Sequence, residues 1–200
     1  LMGNTVSFEN DSARADRPDD IQLLTAVTNG DERAFKTIHQ RHFVKLASFA
    51  HRLTGDHAAA EEVANDTFLV IWRSSASFQK RSKVSTWMFG IAYRIAKKKR
   101  QKLARHKLDL DIDTCAISDT RDMAARAIQR RDILKALEQL KPELRAVIEL
   151  TYFQGYIYSE IAEMLECPVG TVKTRILRAR QQLRHLLCED PAQPPLRRAA

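Results

Sequence analysis

The chain has no long apolar run. None approaches the roughly 18 residues that a membrane-spanning helix needs, so no membrane insertion is expected. The stretch from Leu1 to Asp20 is polar and mixed in charge. It lacks the apolar centre of a secretory leader, so a cytoplasmic protein is expected. Glycine and proline are scarce, at six each among 200 residues, and apolar/polar alternation is rare. That combination argues against sheets and predicts an all-α fold. Cysteine is limited to Cys115, Cys167 and Cys188. They are scattered, with no Cys-x-x-Cys pair, which excludes a disulfide framework and a zinc ribbon. Acids are outnumbered, 25 against 33 Lys and Arg, for a net charge of +8. A basic balance favours a polyanionic partner, either nucleic acid or an acidic membrane surface. Catalytic spacing is missing as well. His39 and His42 lie three apart and Glu61-Glu62 follow, but no third ligand stands at fixed spacing and no nucleophile–base pair is evident. Packed or solvated histidines are the simpler reading. No catalytic residue, metal or cofactor is expected.

What is present is helical periodicity. Residues 1–18 read as a flexible arm. Ile21, Leu24 and Val27 mark one face of a first helix that Asn29-Gly30 stops. Asp31 caps a second, with Phe35, Ile38, Leu46, Phe49 and Leu53 as its apolar positions. Thr54-Gly55 ends it, and Asp56 caps a third helix running to about Arg73. A polar loop, Ser74 to Val84, precedes a fourth helix that Ser85 can open. Leu108 to Thr120 holds Asp109, Asp111, Asp113 and Asp119 with no Lys or Arg, and reads as a flexible acidic linker. Periodicity resumes near Met123. Pro142 suits the first turn of a helix to Phe153, and Gly155 breaks it. Two short helices follow, about Ser159 to Leu165 and Pro168 to Leu187. The Pro/Arg-rich tail after Glu189 is expected to be disordered. The expected units are thus 19–107 and 123–188, joined by 108–122, with 189–200 as tail.

The segment Ile161-Ala162-Glu163-Met164-Leu165-Glu166-Cys167-Pro168-Val169-Gly170-Thr171-Val172 has the logic of a helix-turn-helix. Ala162 is small enough for a second helix to cross it, and Pro168 has the φ of a helix start. On a 100° wheel Val172, Ile176, Ala179, Leu183, Leu186 and Leu187 share a side that should be buried. Thr174, Arg178 and Gln181 lie opposite, flanked by Thr171, Lys173 and Leu177, with Arg175, Arg180 and Arg184 around them. No acid occurs between Thr171 and Leu187. Such a face fits the major groove, where Arg pairs with guanine, Gln with adenine, and an apolar side chain meets the thymine methyl. A lone basic helix is more often a solvated face; the preceding short helix and turn favour DNA reading.

The first half offers two further faces. On the third helix Ala60, Val63, Ala64, Thr67, Phe68, Val70 and Ile71 lie together. Glu62, Asn65, Asp66, Leu69 and Arg73 lie opposite. A leucine framed by acids and an arginine fits a protein-binding surface, and periodicity alone equally allows a solvated face with one stray leucine. On the fourth helix Trp87, Met88, Ile91, Ala92 and Ile95 form the apolar side. Thr86, Phe89, Tyr93, Lys97 and Arg100 fall on another. Eight Lys and Arg and no acid occupy 94–107. Interleaved aromatic and basic groups can stack bases and hold the phosphates of a single strand. Phe89 by itself reads as core.

Taken together, these landmarks resemble the extracytoplasmic-function group of the sigma-70 family, from about Asp20 to Leu187. In the first half they are Asn29-Gly30-Asp31-Glu32-Arg33-Ala34-Phe35, Glu61-Glu62-Val63-Ala64-Asn65-Asp66-Thr67-Phe68-Leu69-Val70-Ile71-Trp72, Phe78, and Ser85-Thr86-Trp87-Met88-Phe89-Gly90-Ile91-Ala92. In the second half they are Leu140-Lys141-Pro142-Glu143-Leu144-Arg145 and Gly170-Thr171-Val172-Lys173-Thr174-Arg175-Ile176-Leu177-Arg178-Ala179-Arg180. The resemblance implies two small helical domains, sigma-2 and sigma-4, and a non-enzymatic transcription factor that works in the nucleoid. It implies that Asn65, Asp66, Leu69 and Arg73 meet the clamp helices of the polymerase beta-prime subunit. It places Phe78, Lys80, Arg81, Lys83, Tyr93, Arg94 and Lys97 at the −10 element. It places Thr171, Lys173, Thr174, Arg175, Leu177, Arg178 and Gln181 at the −35 element, with the beta flap as a further sigma-4 partner. An anti-sigma factor, the cytosolic segment of a membrane protein, is the implied regulator.

The chain departs from the family pattern in three places. Arg94 stands where an asparagine is frequent, which leaves the −10 preference open. Gln79-Lys80-Arg81-Ser82-Lys83 is unusually basic. Ile157 replaces a Ser or Thr cap, so either Ser159 caps instead or the helix begins less firmly. A response regulator with the same DNA-binding unit is the nearest competitor, but residues 19–107 show no strands for a receiver domain.

Overall fold

The computed structural model describes residues 19–109 and 124–188, which are helical with short turns and no strand among the described residues. The expected arm, all but the first two residues of the expected acidic linker, and the tail lie outside the described residues. The first half comprises α1 (Asp20–Thr28), α2 (Glu32–Thr54), α3 (His57–Ser74), a 3₁₀ turn (Ser75–Ser77) and α4 (Val84–Asp109). The second comprises α5 (Ala124–Gln139), α6 (Pro142–Ile148), a π-helical turn (Glu149–Phe153), α7 (Tyr158–Met164) and α8 (Val169–Cys188).

Most boundaries follow from local chemistry. Asp31 accepts hydrogen bonds from Arg33 N (2.8 Å) and Ala34 N (3.1 Å) to cap α2, and Asp56 accepts from Ala59 N (2.6 Å) to cap α3. Gly55 ends α2 at φ +71°, the left-handed conformation that a glycine adopts without a Cβ clash. Pro142 stands at the start of α6, where its missing N–H costs nothing.

Several expectations are corrected. α4 starts at Val84, and the Lys83 carbonyl, not Ser85, receives the first helical bond, from Trp87 N at 3.1 Å. It also continues to Asp109, so Leu108 and Asp109 belong to a helix rather than to a linker. The helix expected through Phe153 changes to π geometry at Glu149. Ser159 is not the cap of α7. Ile157 holds that position, and its N–H donates to Glu160 Oε2 at 3.1 Å, so a carboxylate replaces the missing hydroxyl. Ile21, Val70 and Leu187, placed on buried faces by periodicity, are exposed, and Leu23 takes the inward place on α1.

The principal finding is how the halves meet. One continuous apolar core runs from α1 to α8. It joins Leu24, Ile38, Phe49, Val63 and Met88 of the first half to Val147, Leu150, Ile161, Met164 and Ile176 of the second. A smaller cluster of Leu137, Leu140, Leu144, Ile148 and Ala179 closes α5 and α6 onto α8. α4 is buried on two sides, by α2 and α3 and again by α7. At its centre Phe89, 1% exposed, lies between Phe49 of α2 (ring centroids 5.2 Å) and Tyr156 of the second half (5.4 Å). Gly90 lets α7 approach closely: a Cβ there would sit 3.6 Å from Met164 Cα.

Candidate nucleic-acid and protein interfaces

α7 and α8 form the expected helix-turn-helix. Leu165 to Cys167 make the turn, with Glu166 in the left-handed region at φ 51°. Val172, Ile176 and Ala179 are buried. Lys173, Thr174, Leu177, Arg178 and Gln181 face outwards, with Leu177 58% exposed. An apolar side chain so exposed beside cations is what contact with a thymine methyl asks for. Thr174 Oγ1 donates to Gly170 O at 2.9 Å, which fixes its rotamer. Thr171 and Arg175 are half-buried. Arg175 turns back to Cys167 Sγ at 3.7 Å, towards the interior edge of the turn.

On α3, Asn65, Asp66, Leu69 and Arg73 are all exposed, Leu69 to 45%. Below them Glu62 pairs with Lys99 of α4, which ties the exposed face to a second helix. The opposite side of α3 is core: Val63, Ala64 and Thr67 have no exposure. Thr67 satisfies its hydroxyl by donating to Val63 O at 2.7 Å.

The residues expected at the −10 element do not form one open face. Phe78 packs on Trp87 (5.4 Å), and Lys80, Arg81 and Lys97 are exposed. The other three meet the second half of the chain. Lys83 Nζ lies 2.9 Å from Glu160 Oε1, and Arg94 Nη1 lies 2.6 Å from Glu166 Oε1. Tyr93 is 8% exposed and lines a small crevice with Leu53, Ala96, Pro142 and Glu143. Burial, followed by the nearby Glu143 carboxylate, holds its phenol above the usual range. Thr86 is 1% exposed. Thr86, Phe89 and Tyr93 on the side of α4 expected to be open to a single strand are therefore covered, while Lys97 stays exposed, because the wheel of α4 alone does not reveal that α7 packs across it.

A buried ionic cluster closes the same seam. Glu149 has no exposed surface, and its Oε2 accepts from Arg52 Nη1 at 2.7 Å. Arg145 Nη1 donates to Arg52 O at 2.8 Å, and the Arg52 guanidinium lies 4.1 Å from the centre of the Phe153 ring. Desolvation pushes the Glu149 carboxyl above its ordinary value, against the pull of Arg52 and Arg145. Sequence reasoning missed this cluster. Arg145 and Glu149 stand one helical turn apart, but Arg52 lies more than ninety residues away in the chain, and no local pattern marks it as their partner. Beside it opens a groove of about 560 Å³ lined from both halves, by Phe43, Val44, His51, Leu134, Leu137 and Glu138 among others.

The histidines weighed as metal ligands are otherwise engaged. His39 stacks on Phe43 (4.8 Å) and lies against Phe68 (4.4 Å), while His42 Nε2 donates to Asp20 Oδ2 at 2.7 Å. Among the described residues no group of three or more His, Cys, Asp and Glu is placed to hold a metal, and no helix is long and apolar enough to cross a membrane.

The model of sigma-70 region 2 matches residues 38–106, and that of sigma-70 region 4 matches residues 130–183. The chain belongs to the sigma-70 family, in its extracytoplasmic-function group. It is 31% identical over 194 residues to the RNA polymerase sigma-H factor of Pseudomonas aeruginosa, covering 90% of this chain and 97% of that one. It is 30% identical over 190 residues to the ECF RNA polymerase sigma-E factor of Escherichia coli K12, covering 88% and 95%. Two solved structures share the fold. One is the sigma factor RpoE in complex with the anti-sigma factor NepR from Bartonella quintana (TM-score 0.64, 30% identity, 78% of this chain and 98% of that one). The other is CnrH in complex with the cytosolic domain of CnrY (TM-score 0.65, 27% identity, 86% and 98%). In these terms the interface just described lies between a region-2 half and a region-4 half.

The raised Glu149 carboxyl carries a pH signature. A group with a raised folded-state pKa favours the protonated form on folding. Its contribution is fully present below its ordinary value of 4.5 and is lost as pH rises through the raised value. Glu149→Gln removes this titration while keeping an acceptor for Arg52. As pH falls from neutrality towards 4.5, wild type should gain melting temperature relative to Glu149→Gln. Parallel melting curves across that range would show that the buried carboxyl does not titrate as argued.

Proposed function

We propose that the chain is an alternative sigma factor that catalyses no reaction itself. It binds core RNA polymerase, reads −10 and −35 promoter elements and initiates transcription of a specific set of genes. The observation that carries this reading is the outward face of α8, with Lys173, Thr174, Leu177, Arg178 and Gln181 open to solvent over a buried apolar side, in a chain that also carries a region-2 fold. The proposed units are region 2 at 19–107 and region 4 at 123–188. The α3 face of Asn65, Asp66, Leu69 and Arg73 is the proposed site for the beta-prime clamp helices, and the second half also meets the beta flap. Phe78, Lys80, Arg81, Lys83, Tyr93, Arg94 and Lys97 serve the −10 element. The proposed place of action is the bacterial cytoplasm, at the nucleoid when active.

One solved relative is bound to an anti-sigma factor and another to the cytosolic domain of its partner protein, which supports control by a partner of that kind. The groove beside Arg52 and Glu149 supports the same reading. It is lined from both halves, and Val44 at its edge is 72% exposed. A short amphipathic segment of an anti-sigma factor is the proposed occupant.

Run-off transcription with core polymerase on candidate promoters tests the function. Absence of any polymerase-dependent transcript and of any binding to core would overturn it. Replacing Asp66 and Leu69 together by alanine should weaken core binding at least tenfold with helicity unchanged. Unaltered affinity for core would move the docking face elsewhere.

The −35 helix supplies a sharper outcome. Arg178 lies at the centre of the exposed face and is assigned a base-edge contact, where a bidentate pair discriminates by about 1–3 kcal/mol. Arg184 lies at the margin, where a phosphate contact affects all sequences alike and lowers the salt slope by about one unit. Arg178→Ala should therefore flatten the preference at one −35 position. Arg184→Ala should weaken every promoter and leave the ranking intact. A panel of −35 variants measured at two salt concentrations separates them, and an unchanged ranking for Arg178→Ala would exclude it as the reader.

A further inference from the structure

Two histidines meet across the α2–α3 turn. His51 lies in the last turn of α2, and His57 opens α3. Between them Gly55 turns the chain in the left-handed conformation, and Asp56 caps α3 through Ala59 N. This hairpin brings the two rings to 5.9 Å between centroids, with planes 73° apart. Both residues are exposed, and both line the groove of about 560 Å³ beside Arg52. The pair that spacing singled out differs. His42 is bonded to Asp20, and His39 lies against Phe43 and Phe68.

Imidazole suits zinc, copper and nickel ions. With metal–nitrogen bonds of about 2.0–2.1 Å, two rings on one ion stand about 5 Å apart between centroids. The second side-chain torsion of histidine is broad, so two exposed rings can close the remaining difference without leaving a rotamer. The surrounding charges also matter. His51 stands at the C-terminal end of α2 and His57 at the N-terminal end of α3, so the two helix dipoles offset each other. The carboxylates are then decisive. Glu61, one turn after His57, and Glu138 of α5 line the same groove. Arg52 and Arg145 line it too, but Arg52 is paired with Glu149, and Arg145 donates to backbone carbonyls.

We propose that His51 and His57 form a two-histidine site for a divalent transition-metal ion (zinc, copper or nickel) on the wall of the groove. Two protein ligands leave coordination positions open. A His, Cys or carboxylate side chain of the segment assigned to the groove completes the shell, so metal and segment strengthen each other's binding. That last step rests on the sigma-factor reading; the metal site does not.

The full chain, freed of metal by a chelator, is titrated with zinc by calorimetry and with copper(II) under electron paramagnetic resonance. Wild type is compared with His51→Ala, His57→Ala, the double variant and, as a control, His185→Ala. Wild type should bind one equivalent of zinc and show two equatorial nitrogens on copper. Each single variant should bind about tenfold or more weakly, because one lost ligand breaks the chelate. His185→Ala should match wild type. Helicity should be unchanged, since both rings are exposed; His51→Gln and His57→Gln repeat the comparison if an alanine variant loses helix.

Two unrelated surface histidines would behave otherwise. Each single variant would then lose only its own share of the metal at unchanged affinity, with one nitrogen per copper. That result, or zinc binding by wild type no tighter than by the double variant, would overturn the site. Imidazole added to the copper-loaded chain stands in for a side chain of the segment and should bring in a third nitrogen. A spectrum that stays at two nitrogens would overturn the open position. Neither titration uses polymerase, promoter or partner, so failure of the sigma-factor reading would leave both results standing.

Discussion

The rest of the structure depends on α4 being apolar on two sides. One side, with Met88 and Ala92, completes the region-2 core against α2 and α3. The other offers Phe89 and Tyr93, both large, and both costly to leave in water. A helix with one apolar stripe would have ended the molecule as a three-layer bundle with a free basic end. With a second stripe, α4 needs another layer, and α7 with Tyr156, Ile161 and Met164 supplies it. From that contact follow the place of the helix-turn-helix, the burial of Glu149 and the pairing of basic groups on α4 with acids of the second half.

This also explains what could be read in the sequence and what could not. Helix ends were legible where a single side chain decides them: Asp31, Asp56, Gly55 and Pro142 act on their own turn. Ile157 was misjudged because its substitute cap comes from Glu160, three residues on, and from its carboxylate rather than a hydroxyl. The buried side of α8 was legible from its 3.6-residue period down to Ala179 and failed at Leu187, which is 43% exposed in the last turn. The open face of α3 was legible because none of the described residues returns to cover it. The α4 face was read as open because periodicity reports which residues share a side, not what covers that side. Phe89 was legible as core, but Tyr93 carries no signal that separates stacking on a base from burial against the second half.

The ionic contacts in the seam differ in kind. In Lys83–Glu160 and Arg94–Glu166 the basic partners are well exposed, Lys83 at 73% and Arg94 at 50%, while Glu160 is at 15% and Glu166 at 65% side-chain exposure. Pairs of that sort are screened by salt and contribute about 0–1 kcal/mol each. They set register and shield charge more than they hold the halves together. Arg52–Glu149 is another case. A carboxylate without exposed surface has lost its hydration, and the attraction of Arg52 and Arg145 is largely offset by that loss. Its unpaired Oε1 and the unpaired Nε of Arg145 mark a cluster that is constrained rather than optimised.

Cohesion of the seam must therefore come mostly from apolar contact around Phe89, Tyr156 and Met164. An aromatic pair adds about 0.5–1.5 kcal/mol beyond its buried area, and buried apolar surface about 25 cal/mol per Å². A seam of that character is only weakly affected by ionic strength. Separating the halves would expose its aromatic rings to water and leave its basic groups without their carboxylates. Promoter DNA alone offers phosphates to Lys83 and Arg94 but nothing for the buried side of Tyr93 until a strand is already melted. A protein surface that binds the two halves at separate places can supply the difference, since any ligand that favours the open form by 1.4 kcal/mol shifts the balance tenfold. The apolar seam, not the salt bridges, therefore sets how much binding energy any separation of the two halves requires.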